Sequence, residues 1–169
     1  MTNLLKNIFG WVAAAAVVAV PVAFGTGTVS LTPQQEPLRI YSSPGGSVFE
    51  FIGEYNRIRT EGQKVEVRGV CASACTFFLG MLPKEQVCYD EKVYLGFHGV
   101  YRGGFMTQPT FDPAMTKWTY EYVYTPEVVK ELNKLGWSIE YDVDYTKNPT
   151  GLIWQGADFM KALGYKKCD

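Results

Sequence analysis

The 169-residue chain carries a formal net charge of −1, with 20% charged and 15% aromatic residues and no basic run interleaved with rings, which excludes nucleic acid as an expected partner. Once an N-terminal segment is set aside, about 140 residues remain, enough to bury the core of one domain. The aromatic residues, Trp118, Tyr120, Tyr122, Tyr124 and Trp137 among them, read as core and interface packing and permit a homo-oligomer.

Met1 to Asn7 carries one basic side chain, Lys6, and precedes an apolar run from Ile8 to Phe24 centred on Ala13 to Ala16. Residues 1–29 therefore read as a cleaved export signal or as a retained anchor, with membrane contact only through residues 8–24 in the second case. Either way the rest is expected outside the cytoplasm, periplasmic or as the extracytoplasmic part of an anchored protein. Residues 30–37, with Pro33 and Pro37, form a linker, and the domain runs over 38–169.

Leu38 to Tyr41 is a strand, stopped by Ser42-Ser43-Pro44-Gly45-Gly46. Val48, Phe49, Phe51, Ile52, Tyr55 and Ile58 then recur at helical spacing, and the helix ends near Gly62. Lys64 to Gly69 alternates as a strand, after which Ser73 to Met81 turns into an apolar helix that Pro83 ends. Val87 to Tyr89 and Lys92 to Phe97 are further strands, the second running into His98. Tyr101 to Asp112, rich in Gly and Pro, reads as an irregular loop able to cover a cleft. Helices are predicted over 113–123 and 126–135, the latter capped by Thr125 with Glu127 in its first turn. Ser138 to Val143 is a strand or a loop, and a last helix spans Leu152 to Leu163, stopped by Gly164. Strands alternating with helices make the fold α/β.

Outside the cytoplasm the four cysteines, Cys71, Cys75, Cys88 and Cys168, form two disulfides by one of three pairings. With Cys71 and Cys75 on or near one helix, the favoured reading has each bridging elsewhere, because helical side chains seldom meet disulfide geometry along one face. In a rival reading Cys71, Cys75, Cys88 and His98 form a structural Cys3His zinc site. The disulfide reading implies no metal and no cofactor.

Ser73 sits between small residues where a strand becomes a helix, a place where a serine hydroxyl stands clear of a sheet beside the next backbone N–H. It also suits a plain helix cap. His98 is the only histidine, so serine–histidine chemistry within one chain has its base already named. The glycine pair before the first helix leaves backbone N–H groups free to meet developing negative charge.

Ser43-Pro44-Gly45-Gly46, Cys71-Ala72-Ser73-Ala74-Cys75-Thr76 and Gly96-Phe97-His98 together resemble the Clp protease proteolytic subunit, in particular the exported, cysteine-bearing Clp-like proteins of bacteria. The resemblance covers Leu38 to His98, extends weakly to the 152–164 helix, and includes the 25-residue step from Ser73 to His98. It implies a Clp/crotonase-like fold of repeated strand–strand–helix units, abbreviated at its start. It also implies a serine peptidase cutting a peptide or protein substrate. Ser73 would be the nucleophile, His98 the base, and the amides of Gly46 and Ala74 the oxyanion hole. The family's third, histidine-orienting member falls within Tyr141 to Asn148, where Asp144 has the better chemistry and Asn148 the better spacing. The alternative function is a catalytically inactive Clp-like binding module.

Overall fold

A computed structural model describes residues 35–103, 109–137 and 151–169, which fall within one compact unit, Gln34–Asp169. In chain order the described elements are β1 (Leu38–Ser43), α1 (Val48–Glu61), β2 (Val65–Ala72), a 3₁₀ turn (Ser73–Phe77), α2 (Phe78–Met81) and a second 3₁₀ turn (Lys84–Gln86). They continue with β3 (Val87–Tyr89), β4 (Tyr94–Phe97), β5 (Tyr101–Arg102), β6 (Thr110–Phe111), α3 (Pro113–Tyr122) and α4 (Pro126–Lys134). The chain closes with β7 (Ile153–Gln155), α5 (Ala157–Ala162) and β8 (Lys166–Lys167). The class is mixed α/β.

The central strand is β2. A parallel neighbour requires a crossover, and α1 supplies it between β1 and β2, which pair from Leu38↔Val65 to Ser43↔Cys71. The register slips between Ile40 and Ser42, beside Gly69. A Cβ on Gly69 would stand 2.2 Å from the Tyr41 carbonyl oxygen, so only glycine lets the two backbones approach there. On its other side β2 pairs parallel with β3 near its start and with β4 near its end. β8 adds parallel to β3, and β7 antiparallel to β4, making the sheet mixed.

Alternation along β2 sorts the two faces. Val65 and Val67 are buried with Ile58, Phe78, Leu79, Leu95, Leu132 and Met160, whereas Glu66 lies in the solvent-facing set and accepts from Arg39 and Arg68. α1 follows the same logic: Tyr55 and Ile58 are buried, and Gly62, in the left-handed region at φ 69°, ends the helix by donating to Arg59 and Ile58 carbonyls.

Two expectations need correction. The predicted helix over 152–163 is instead a strand followed by a short helix that begins after Gly156. A short apolar run is ambiguous between strand and helix, and here sheet contacts decide: Trp154 lies opposite Gly96 and covers it, so that a Cβ on Gly96 would meet the indole at 2.8 Å. The expected helix from Ser73 to Met81 is mostly 3₁₀, with one α turn at its end. The Tyr101 to Asp112 loop has paired ends, β5 against β6, while residues 104–108 and the 138–143 segment lie outside the described residues. Among the described residues no helix is long and apolar enough to cross a membrane; the apolar run over 8–24 is not among them.

Candidate active site

Ser73 follows the last residue of β2 and is the one non-glycine residue with positive φ, +57°, among the described residues. For an L-residue this conformation costs about 1–2 kcal/mol, so its surroundings must hold it. They do so from several sides. Thr76 Oγ1 donates to the Ser73 carbonyl at 2.7 Å, which leaves the Tyr124 hydroxyl as donor to Thr76 Oγ1, also at 2.7 Å. From α1, the Tyr55 hydroxyl donates to the Cys75 carbonyl at 2.6 Å. Burial raises the pKa of both phenols well above the usual range, so both remain donors.

The Cys71–Cys75 disulfide straddles the serine, with Cα atoms 5.4 Å apart. This corrects the preference for bridges elsewhere. Cys71 lies in the extended backbone of β2, and the left-handed step at Ser73 turns the chain back so that Cys75 faces it; the objection to a bridge along one helix face does not arise. Cys88 pairs with Cys168, tying β3 to the end of the chain. With all four cysteines oxidised none is a thiolate, and the Cys71, Cys75, Cys88, His98 zinc tetrahedron does not form.

The glycine turn packs directly on this elbow. Gly45 has φ +85°, and a Cβ there would lie 2.5 Å from Ser73 Cβ and 2.6 Å from the Ala72 carbonyl oxygen. Gly46, the residue singled out from sequence, has room: its Cβ would meet only Phe51, at 3.5 Å. The glycine that sterics demand is therefore Gly45, and Gly46 matters through its backbone alone. Behind it Ser47 caps α1 without a side-chain bond, so the first N–H groups of a 14-residue helix are left uncapped beside the site.

His98 stands just past the end of β4, half-buried. Its Nδ1 is bonded to the Gly99 carbonyl, which can only accept, so Nδ1 carries the proton and Nε2 is the free lone pair. Desolvation lowers its pKa below the ordinary histidine value, with the Gly99 bond opposing, so the ring is neutral near pH 7. The ring rests against Tyr101 at 5.6 Å between centroids, and Tyr101 against Phe111 at 5.6 Å. The segment after His98 is pinned to the start of α3: Val100 N–H donates to Thr116 Oγ1, and Asp112 N–H to the Val100 carbonyl.

Ser73, His98, Gly46 and Ala74 all line one cavity of about 600 Å³. Its lining also includes Phe77, Tyr124 and Trp137, and its charged members among the described residues are Arg102 and Asp112. Asp112, 4% exposed, caps α3 by accepting from Met115 N–H and pairs with Arg102. That guanidinium, and then the Met115 N–H, hold its carboxyl below the usual carboxylate range. No hydrogen bond joins Ser73 Oγ to the His98 ring, whose Nδ1 goes to Gly99. Asp144 and Asn148 lie outside the described residues.

The site also depends on residues to which the sequence reading assigns no such role. Tyr55 and Tyr124 read there as packing aromatics and Thr76 only as the end of the serine motif; each hydroxyl shows its part only once the fold brings it to the elbow. Asp112 followed by Pro113 is a legible helix start, but nothing in that pattern points to a cavity. No family model matches the chain, and no curated protein matches it.

Proposed function

We propose that the protein is an extracytoplasmic serine peptidase of Clp/crotonase-like fold. The observation that carries this reading is Ser73, held in the left-handed region at the end of β2 in a cavity shared with a neutral histidine. The fold assignment is supported by the order of parts. β1, β2 and β4 run parallel side by side, and the glycine turn, the serine turn and the histidine each follow the carboxyl end of one of them, where open α/β sheets bind ligands. Two disulfides suit an oxidising compartment.

In the reaction, His98 Nε2 takes the proton of Ser73 Oγ as the oxygen attacks the scissile carbonyl carbon. The carbonyl oxygen, now an oxyanion, accepts from the amides of Gly46 and Ala74 and faces the positive end of α1. Collapse breaks the C–N bond, and the proton held on His98 goes to the leaving amine. Water then repeats the sequence on the acyl-enzyme ester, His98 taking its proton and returning it to Ser73. Throughout, the Gly99 carbonyl holds the histidine tautomer by accepting from Nδ1–H.

One observation favours a second reading, an inactive binding module: Ser73 and His98 are not hydrogen-bonded to each other. Catalytic bonds are often long before substrate arrives, which keeps the peptidase reading first. Labelling the oxidised protein with a fluorophosphonate separates the two. The parent is expected to label and Ser73→Ala and His98→Ala to fail; equal labelling of all three, or of none, would overturn the peptidase reading and favour the binding module.

A further inference from the structure

Outside the cavity, three aromatic side chains stand in a row. Phe49, in the first turn of α1, is 66% exposed, and Trp118 and Tyr122, on α3, are 38% and 72% exposed. Their rings are in contact: Phe49 to Trp118 is 6.5 Å between centroids, and Trp118 to Tyr122 is 6.0 Å, stacked. Single exposed rings need no explanation, but a contiguous exposed row marks an interaction surface.

The row is continuous with the site. Phe49 itself lines the cavity that holds Ser73, and so does Met115. Met115, Trp118 and Tyr122 fall at i, i+3 and i+7, one stripe of α3 that leads from the cavity wall out to solvent. We infer that Phe49, Trp118 and Tyr122 form a track for an extended peptide, seating bulky apolar side chains at alternate positions beside the bond to be cut. This deepens the peptidase reading and rests on it.

Continuity with the cavity of Ser73, through Phe49 and Met115, selects the occupant, and the spacing of the rings admits it. Side chains on one face of an extended chain repeat every second residue, about 6.6–6.8 Å apart, close to the 6.5 and 6.0 Å between the rings. The nearest charges on α3, Lys117 and Glu121, pair with each other at 3.9 Å, so they offer no preference for a charged ligand. What the track offers is ring surface, and the ligand it fits alternates large apolar residues with residues of any kind.

The test reads binding apart from hydrolysis by using the full oxidised chain carrying Ser73→Ala. Its partners are fluorescein-labelled decapeptides: one with Phe at alternate positions, one with the same Phe residues consecutive, and one with Ser in their place. Fluorescence anisotropy is expected to show the alternating peptide binding at least about tenfold more tightly than the Ser peptide, with the consecutive one between them. Adding Phe49→Ser and Tyr122→Ser should abolish that preference, and Phe49→Tyr with Tyr122→Phe should keep it. Equal binding of the three peptides overturns the track, as does a preference that survives the Ser substitutions. Displacement of the peptide by a chito-oligosaccharide would reassign the row to glycan. A dimer that dissociates on Phe49→Ser and Tyr122→Ser would reassign it to a second copy. Fluorophosphonate labelling of the parent without peptide preference sinks the track alone, whereas preference without labelling sinks the peptidase reading alone.

Discussion

At the scale of single residues, the candidate site holds two residues in states they would not choose in water, one by its backbone and one by its ring. Ser73 is kept in the left-handed region by bonds to its own and neighbouring carbonyls and by a covalent bridge across it. Strain of this kind persists only where the surroundings over-determine it. His98 is kept neutral by desolvation, which lowers its pKa below the usual 6.5 against the opposing bond to Gly99. A depressed folded value sets a sign. Between 6.5 and the lowered value the unfolded chain binds a proton that the folded chain does not, so stability falls as the pH drops through that window and is restored above it. The base form also persists further into acid than an unperturbed histidine would. Melting curves from about pH 8 to about pH 5 are therefore expected to show a loss in the parent that is smaller in His98→Asn. The acid limb of fluorophosphonate labelling is expected to have its midpoint below 6.5. A midpoint at or above that value would mean that desolvation does not govern the ring.

At the scale of elements, the glycine turn and the serine turn are one packed unit rather than two motifs that happen to face one cavity. Gly45→Ala places a methyl 2.5 Å from Ser73 Cβ, and against the Ala72 carbonyl, at a φ of +85°. Its expected cost is about 1–3 kcal/mol, with labelling lost because the elbow is pushed aside. Gly46→Ala meets only Phe51 at an ordinary 3.5 Å, so it should melt within about 0.5 kcal/mol of the parent. The comparison is read from paired thermal melts and labelling rates; equal effects at the two positions would show that packing on Ser73 does not distinguish them. This unit also marks how far the sequence was legible. Periodicity located β1, α1, β2, β4, α3 and α4, because each carries an apolar pattern matched to its own period, with Gly62 and Thr125 punctuating the ends. It failed where contacts between distant segments decide. Ile153 to Gln155 became a strand because β4 offered an edge and Gly96 a seat for Trp154. Cys71 paired with Cys75 because one backbone angle at Ser73, invisible in the residue types, turned a strand into a tight 3₁₀ turn. Gly46 drew attention by motif, while Gly45 was required by a contact across 28 residues, Gly45 to Ser73.

Across the whole molecule the two disulfides divide the work of stability and geometry. Cys71–Cys75 closes a ring with a sequence separation of 4, and Cys88–Cys168 one with a separation of 80. Loop-closure entropy assigns about 2 kcal/mol to the short ring and about 4–5 kcal/mol to the long one. The long bridge, between β3 and the residue after β8, therefore holds the fold, while the short one holds the elbow. Their exposure differs as well: Cys71 and Cys75 are fully buried, whereas Cys88 and Cys168 are half-buried and open to a reductant. Graded reduction should thus open Cys88–Cys168 first, lowering the melting temperature while Ser73 still labels under conditions where the chain remains folded. Removing the short bridge by Cys71→Ala with Cys75→Ala should do the reverse, lowering labelling severely with the smaller change in stability. Differential alkylation read by mass spectrometry gives the order of opening, and melting and labelling give its consequences. If the buried bridge opened first, or if the Cys71→Ala, Cys75→Ala protein labelled at the parent's rate, the short disulfide would not be what holds Ser73 in place.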